Sequence, residues 1–179
     1  ARMDALVDLL VLKYAPLPAR SLGHYLSLLC TGVPQWRTQR AATLARAKRR
    51  LAHARVDGED WYWPNGEDPR SRRWRPDDQV RLLTPFDPLV HDRQRFEQFW
   101  GWRYRFEAYT PAARRTLGYY ALPILWGERV VGWANLSAAD GSLRSSFGYV
   151  HGAVAGDGTY RRELDAELER MRVFLGGWD

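Results

Sequence analysis

The 179-residue sequence predicts an α+β fold in two parts, helical first and strand-rich after. Three observations carry this expectation. Apolar residues recur at helical spacing up to about Leu51; from about Arg81 they alternate with period two or form short β-branched and aromatic runs. The stretch 67–80 between them is polar and holds prolines, the composition of a linker. Charge changes character across the same stretch: Leu9 to Val56 contains nine basic residues and no acid, whereas Arg81 to the end contains 13 basic and 12 acidic residues. The expected domains are therefore 1–66 and 81–179.

In the first domain, Ala5, Leu6, Leu9, Leu10 and Leu12 are expected on one helical face. That helix should end before Pro16 and Pro18, because a proline pushes the preceding residue out of the α region. Ser21 is the expected N-cap of a second, short helix with Leu22, Tyr25, Leu26 and Leu29 on one side, broken at Thr31-Gly32. A third helix is expected from Pro34, whose missing N–H costs nothing at a helix start, to about Leu51, with Leu44, Ala47 and Leu51 inward. ARVDGEDWYWP then alternates about Asp57-Gly58, which reads as a hairpin. Three helices followed by a hairpin is the order of a winged helix, in which the third helix enters the major groove and the hairpin lies on the neighbouring backbone.

The charge pattern suits that role. Arg37, Arg40, Arg46, Lys48, Arg49 and Arg50 on the third helix and Arg55 on the hairpin are candidate phosphate contacts. In DPRSRRWRPDD, Arg72, Arg73 and Arg75 surround Trp74, and basic groups interleaved with an aromatic ring suit nucleic acid. Trp61, Tyr62 and Trp63 offer the hairpin either an aromatic edge or a packing surface. Positive charge also has plainer origins. A basic helix is often only a solvated face, and 25 arginines against two lysines reflect a GC-rich, bacterial genome.

In the second domain, FDPLVHDRQRFEQFWG should be a turn and then a helix capped by Asp92, and RYRFEAY alternates like a strand. YYALPILWGERVVGWANLS reads as a hairpin joined at Gly127-Glu128, followed by a strand from Leu143 to Val150. The last helix, from about Thr159 to Leu175, carries Leu164, Leu168, Met171 and Leu175 on one face and should stop at Gly176-Gly177. Together these give a small β-barrel or curved antiparallel sheet with helical additions.

No apolar run is long enough to span a bilayer and no signal peptide is visible, so a cytoplasmic protein without a membrane partner is expected. The single Cys30 reads as a buried thiol, and four scattered histidines give no zinc spacing, so no metal or cofactor is expected. LLTPFDPLVHDR gathers Asp87, His91 and Asp92. Pro85 and Pro88 force a turn there, Asp87 can accept the N–H groups it leaves unpaired, and Asp92 can cap the following helix. The reading is a structural corner, and no catalytic residue is assigned. Glu107 is expected to form an ion pair with Arg105.

LLTPFDPLVHDR and FWGWRYRFEAYTPAARRTLGYYALPILWGERVVGW resemble the C-terminal half of the winged-helix DNA glycosylases of the YcaQ/AlkZ type, most strongly over about 80–136. The resemblance implies a third winged helix joined to a β-barrel, duplex DNA as partner, and interstrand crosslink repair by hydrolysis of the N-glycosidic bond of an alkylated or crosslinked base. In that family a Gln-x-Asp or Gln-x-Gln pair positions the attacking water. Gln35, Gln39, Gln79, Gln94 and Gln98 stand here in QWR, QRA, QVR, QRF and QFW, without the partner. Trp133, Asn135 and Ser137 replace the basic residue, acid and lysine usual in the family, and His91 stands where tryptophan is common. The expectation is a DNA-binding portion that works with an N-terminal catalytic half and is inactive alone, either an excised fragment or a shortened relative. Two alternatives are a winged-helix regulator or partner-binding protein without repair activity, and a hydrolase using the acidic corner.

Overall fold

The computed structural model describes residues 2–139, 142–150 and 157–175. The chain divides into two compact units, Ala1–Trp74 and Arg75–Asp179, and the division falls inside the stretch expected as a linker.

The first unit contains α1 (Arg2–Tyr14), β1 (Leu17–Pro18), α2 (Ala19–Gly32), a 3-10 segment (Pro34–Gln39), α3 (Arg40–Arg50), β2 (Ala52–Val56) and β3 (Glu59–Trp63). Its core joins Met3, Val7 and Val11 of α1 to Leu22, Tyr25, Leu26 and Cys30 of α2, with Ala47, Leu51 and Tyr62. The buried face of α1 is therefore rotated from the expected one: Leu9 and Leu12 are exposed. Apolar residues lie on both the buried and the exposed sides of α1, so hydrophobicity alone does not choose the face. Asp4 and Asp8 choose it, because they meet Arg46 and Arg50 of α3. The N-cap of α2 is Pro18, and Ser21 lies buried one turn inside the helix. The single helix expected from Pro34 opens as a 3-10 segment before α3 begins.

Asp57 and Gly58 both adopt positive φ, 50° and 81°, the pair of left-handed residues a two-residue hairpin turn demands. β3 sits centrally in the sheet order β1-β3-β2. The period-two geometry of β3 sends Tyr62 into the core and leaves Trp61 and Trp63 half-buried on its other side.

The second unit contains β4 (Val80–Leu82), α4 (Arg93–Trp100), β5 (Leu122–Trp126), β6 (Arg129–Ala139), β7 (Ser142–Tyr149) and α5 (Gly158–Phe174). The strands form one antiparallel sheet in the order β4-β5-β6-β7, so of the two expected forms the open sheet is found, with β4 and β7 at its edges. Adjacent residues serve opposite faces: Val131 joins Val80, Ile124, Tyr160 and Leu164 beneath α5, and Val130 joins Leu83, Val90, Phe96 and Tyr104 on the other side. Edge strand β4 is covered by α5. Leu82 N–H donates to Glu167 Oε1 (2.8 Å), Arg170 donates to the Val80 carbonyl (3.1 Å), and Glu167 and Arg170 pair with each other (2.8 Å).

One expectation is corrected here, and the last helix falls within a residue of its expected bounds. RYRFEAY is not a strand: its alternation comes from Tyr104, whose hydroxyl donates to the Ala121 carbonyl (2.7 Å) inside the core, and from Phe106 and Glu107, which serve other contacts. Burial pushes the Tyr104 hydroxyl up to about 12, which suits its role as a neutral donor. The last helix starts at Gly158 under the cap Asp157, which accepts from Thr159 and Tyr160 N–H. The expected stop at Gly176-Gly177 lies outside the described residues.

Candidate nucleic-acid interface

The six basic residues expected to act together on the third helix fall into two groups. Arg40 donates to Ser27 Oγ (2.8 Å) and to the Gly23 carbonyl (3.2 Å) of α2. Arg46 forms a two-point pair with Asp4 (3.1 and 3.2 Å) and also donates to Thr43 Oγ1 (3.1 Å). Arg50 pairs with Asp8 and donates to the Asp4 carbonyl (3.0 Å). These three guanidiniums hold α3 to its neighbours. The Arg46 hydrogen bond keeps the Asp4 carboxyl below the usual carboxylate range.

The side chains of Arg37, Lys48 and Arg49 make no intramolecular polar contact among the described residues, and Arg37 and Arg49 are exposed. Arg20, in the first turn of α2, is exposed in the same way; it belongs to the acid-free basic stretch but stands apart in sequence from the third-helix cluster, so it is not among the candidate contacts. Between the free cations, Thr38, Ala41, Ala42 and Ala45 form the outward face of the helix and of the 3-10 segment before it. Small side chains let a helix backbone approach a surface closely, and cations beside them supply attraction to an anionic one.

On the hairpin, Arg55 faces Asp60 across the strands at 3.6 Å, both partly exposed, a pair of little energetic weight. The arginine-tryptophan stretch folds on itself: Trp74 Nε1–H donates to the Asp68 carbonyl (3.0 Å), Arg73 lies over the Trp74 ring (4.4 Å) and Arg70 turns to Asp68. Arg72, in the first unit, and Arg75, in the second, have no polar partner among the described residues.

The acidic corner is bound into its own backbone. Asp87 Oδ1 accepts Leu89 N–H (2.8 Å), while its carbonyl accepts from Val90 (2.9 Å) and His91 (2.8 Å). Asp92 accepts Arg95 N–H (3.1 Å) at the start of α4. Two arginines complete the turn: Arg93 donates to the Pro85 carbonyl (2.8 Å), and Arg95, 1% exposed, donates to the Pro88 carbonyl. Sequence reasoning missed both, since arginine ordinarily reads as surface.

Glu107 is corrected from its expected ion pair. It is buried and accepts the N–H groups of Thr116, Leu117 and Gly118 (2.8, 2.8 and 3.3 Å) and the Thr116 hydroxyl (2.9 Å). Burial pushes its carboxyl up, but these hydrogen bonds outweigh it, and the net shift is downward. Asn135 Nδ2–H donates to the Leu117 carbonyl (2.7 Å), and Trp133 stacks on Trp102, so two of the positions that depart from the family pattern hold structure here.

No solved structure matches the chain. The family model described as DNA glycosylase AlkZ-like matches residues 1–174, nearly the whole sequence. With three helices, a hairpin and an open antiparallel sheet carrying that match, the chain belongs to the AlkZ-like DNA glycosylase family, whose work is on DNA.

Proposed function

We propose that the first unit is a winged-helix module that binds duplex DNA, with α3 in the major groove and the β2–β3 hairpin along the adjoining backbone. The single observation behind this reading is the division of labour on α3 and the 3-10 segment before it. Three arginines fix the helix to α1 and α2, while Arg37, Lys48 and Arg49 flank an outward face of small residues. In this reading the chain positions DNA for excision of alkylated or crosslinked bases. Release of the base is assigned to sequence other than this chain, because none of its five glutamines stands in a Gln-x-Asp or Gln-x-Gln pair.

The test is fluorescence anisotropy with a labelled duplex at two salt concentrations. Replacing Arg37, Lys48 and Arg49 together by Ala should weaken binding and lower the salt slope by up to roughly one unit per lost phosphate contact. An unchanged slope would refute the placement of α3. Incubating excess chain with alkylated duplex, followed by alkaline cleavage, should give no strand breaks; breaks that grow with protein concentration would return the chemistry to this chain.

A further inference from the structure

The second unit displays aromatic rings that its core does not use. Tyr109 is 93% exposed, Phe86 63% and Tyr119 59%. The rings are gathered: Phe106 meets Phe86 (5.5 Å), Tyr120 (5.3 Å) and Tyr109 (6.1 Å) edge-on, and Arg115 lies over Tyr119 (4.9 Å). A cluster of exposed large rings is the unusual observation on a protein surface, where single exposed apolar residues are ordinary.

The segment carrying them is held in one shape. Glu107 gathers the amides of Thr116, Leu117 and Gly118, Arg115 Nε–H donates to the Thr110 carbonyl (2.8 Å), and Asn135 holds the Leu117 carbonyl. Gly118, at φ 120°, lies against the Asn135 side chain, where a Cβ would come within 2.2 Å of Oδ1. A carboxylate is costly to bury, and here it fixes the base of a loop whose tip faces water.

Charge identifies the occupant. Glu107 is the only acid between Gln98 and Gly127, and its carboxylate is turned inward. Outside, Arg105 and Arg114 are exposed and their guanidiniums make no polar contact among the described residues. Rings with flat faces in water, interleaved with unpaired guanidiniums on a fixed loop, match nucleotides whose bases are unstacked: phosphates take the arginines and bases take the rings.

We infer that the segment 105–120 is a second nucleic-acid contact, specific for unpaired nucleotides, with Tyr109 as stacking platform and Arg105 and Arg114 as phosphate contacts. It rests on the reading that the chain works on DNA, and adds a surface that recognises locally opened strands.

The whole chain is tested against two labelled oligonucleotides of equal length, one fully paired and one with a single-stranded gap of thymines. The wild-type chain should bind the gapped form more tightly. Tyr109→Ala should remove about 5- to 100-fold of that affinity and leave paired-duplex binding within about twofold, whereas Tyr109→Phe keeps the preference. Because Tyr109 is almost fully exposed and meets the cluster through the edge of Phe106 alone among the described residues, its variants should melt with the wild type, which a thermal scan checks. Equal wild-type affinity for the two forms, or a preference that survives Tyr109→Ala, overturns the inference. If paired-duplex binding still depends on Arg37, Lys48 and Arg49 in that case, the proposed role of α3 stands without it; if the chain binds neither oligonucleotide, both fall.

Discussion

Arg46 of α3 and Asp4 of α1 meet through two parallel hydrogen bonds, Nε to Oδ1 at 3.1 Å and Nη2 to Oδ2 at 3.2 Å. One turn further along both helices Arg50 meets Asp8, so two carboxylates four residues apart lie beside two arginines four residues apart. This match sets the register of α1 against α3. Arg46→Ala should therefore act on folding: urea unfolding should show a loss of about 1 kcal/mol, while duplex affinity changes less than in Arg49→Ala.

The acid limb of stability follows from Asp4 and Glu107. Both carboxyls titrate below their ordinary values of 3.8 and 4.5, so their contribution is complete above those values and is lost as pH falls through the lower, folded ones. Urea midpoints should be level in this respect from about pH 7 to pH 5 and fall below about pH 4. Glu107→Gln should lose about 2 kcal/mol at about pH 7 and show a shallower acid limb; an unchanged limb would contradict the assignment.

Asp87 and Asp92 should matter for stability and not for chemistry. Removing the α4 cap by Asp92→Ala should cost about 1 kcal/mol, and Asp87→Ala, which leaves Leu89 N–H unpaired, about 1 to 3 kcal/mol. DNA binding measured well below each variant's melting temperature should match the wild type.

Gly118 and Gly127 separate conformational strain from crowding. Both have positive φ, but a Cβ at Gly127 meets nothing within 4 Å, whereas at Gly118 it strikes the anchored Asn135 side chain. Gly127→Ala should cost about 1 kcal/mol and Gly118→Ala clearly more, read from denaturant unfolding at constant slope. Equal losses would mean that Asn135 yields without penalty.

Much of the fold was legible because local chemistry is strong. Asp57-Gly58 and Gly127-Glu128 marked their hairpins, and Asp92 marked the start of α4. What was not legible depended on partners distant in sequence. The apolar run of α1 fits several faces, and only Arg46 and Arg50, 42 residues away, select one. RYRFEAY alternates because Tyr104 reaches Ala121 and Glu107 reaches Thr116, not because it pairs with a strand. In the candidate interface, the sequence supplied the cluster of cations but not its partition, since an arginine that ties two helices and one that faces solvent look alike in a sequence.

The alanines on the outward face of α3 have a consequence for how the protein tolerates change. Ala41, Ala42 and Ala45 are exposed, so larger residues there leave the native packing intact and cost the fold only the few tenths of a kcal/mol by which they are poorer helix formers than alanine. Each would hold the helix axis farther from whatever it rests upon. In the proposed complex, positions where bulk costs the fold little but holds the helix off the DNA act as spacers, and replacing them in order of increasing volume would measure how deeply α3 seats if it enters the groove.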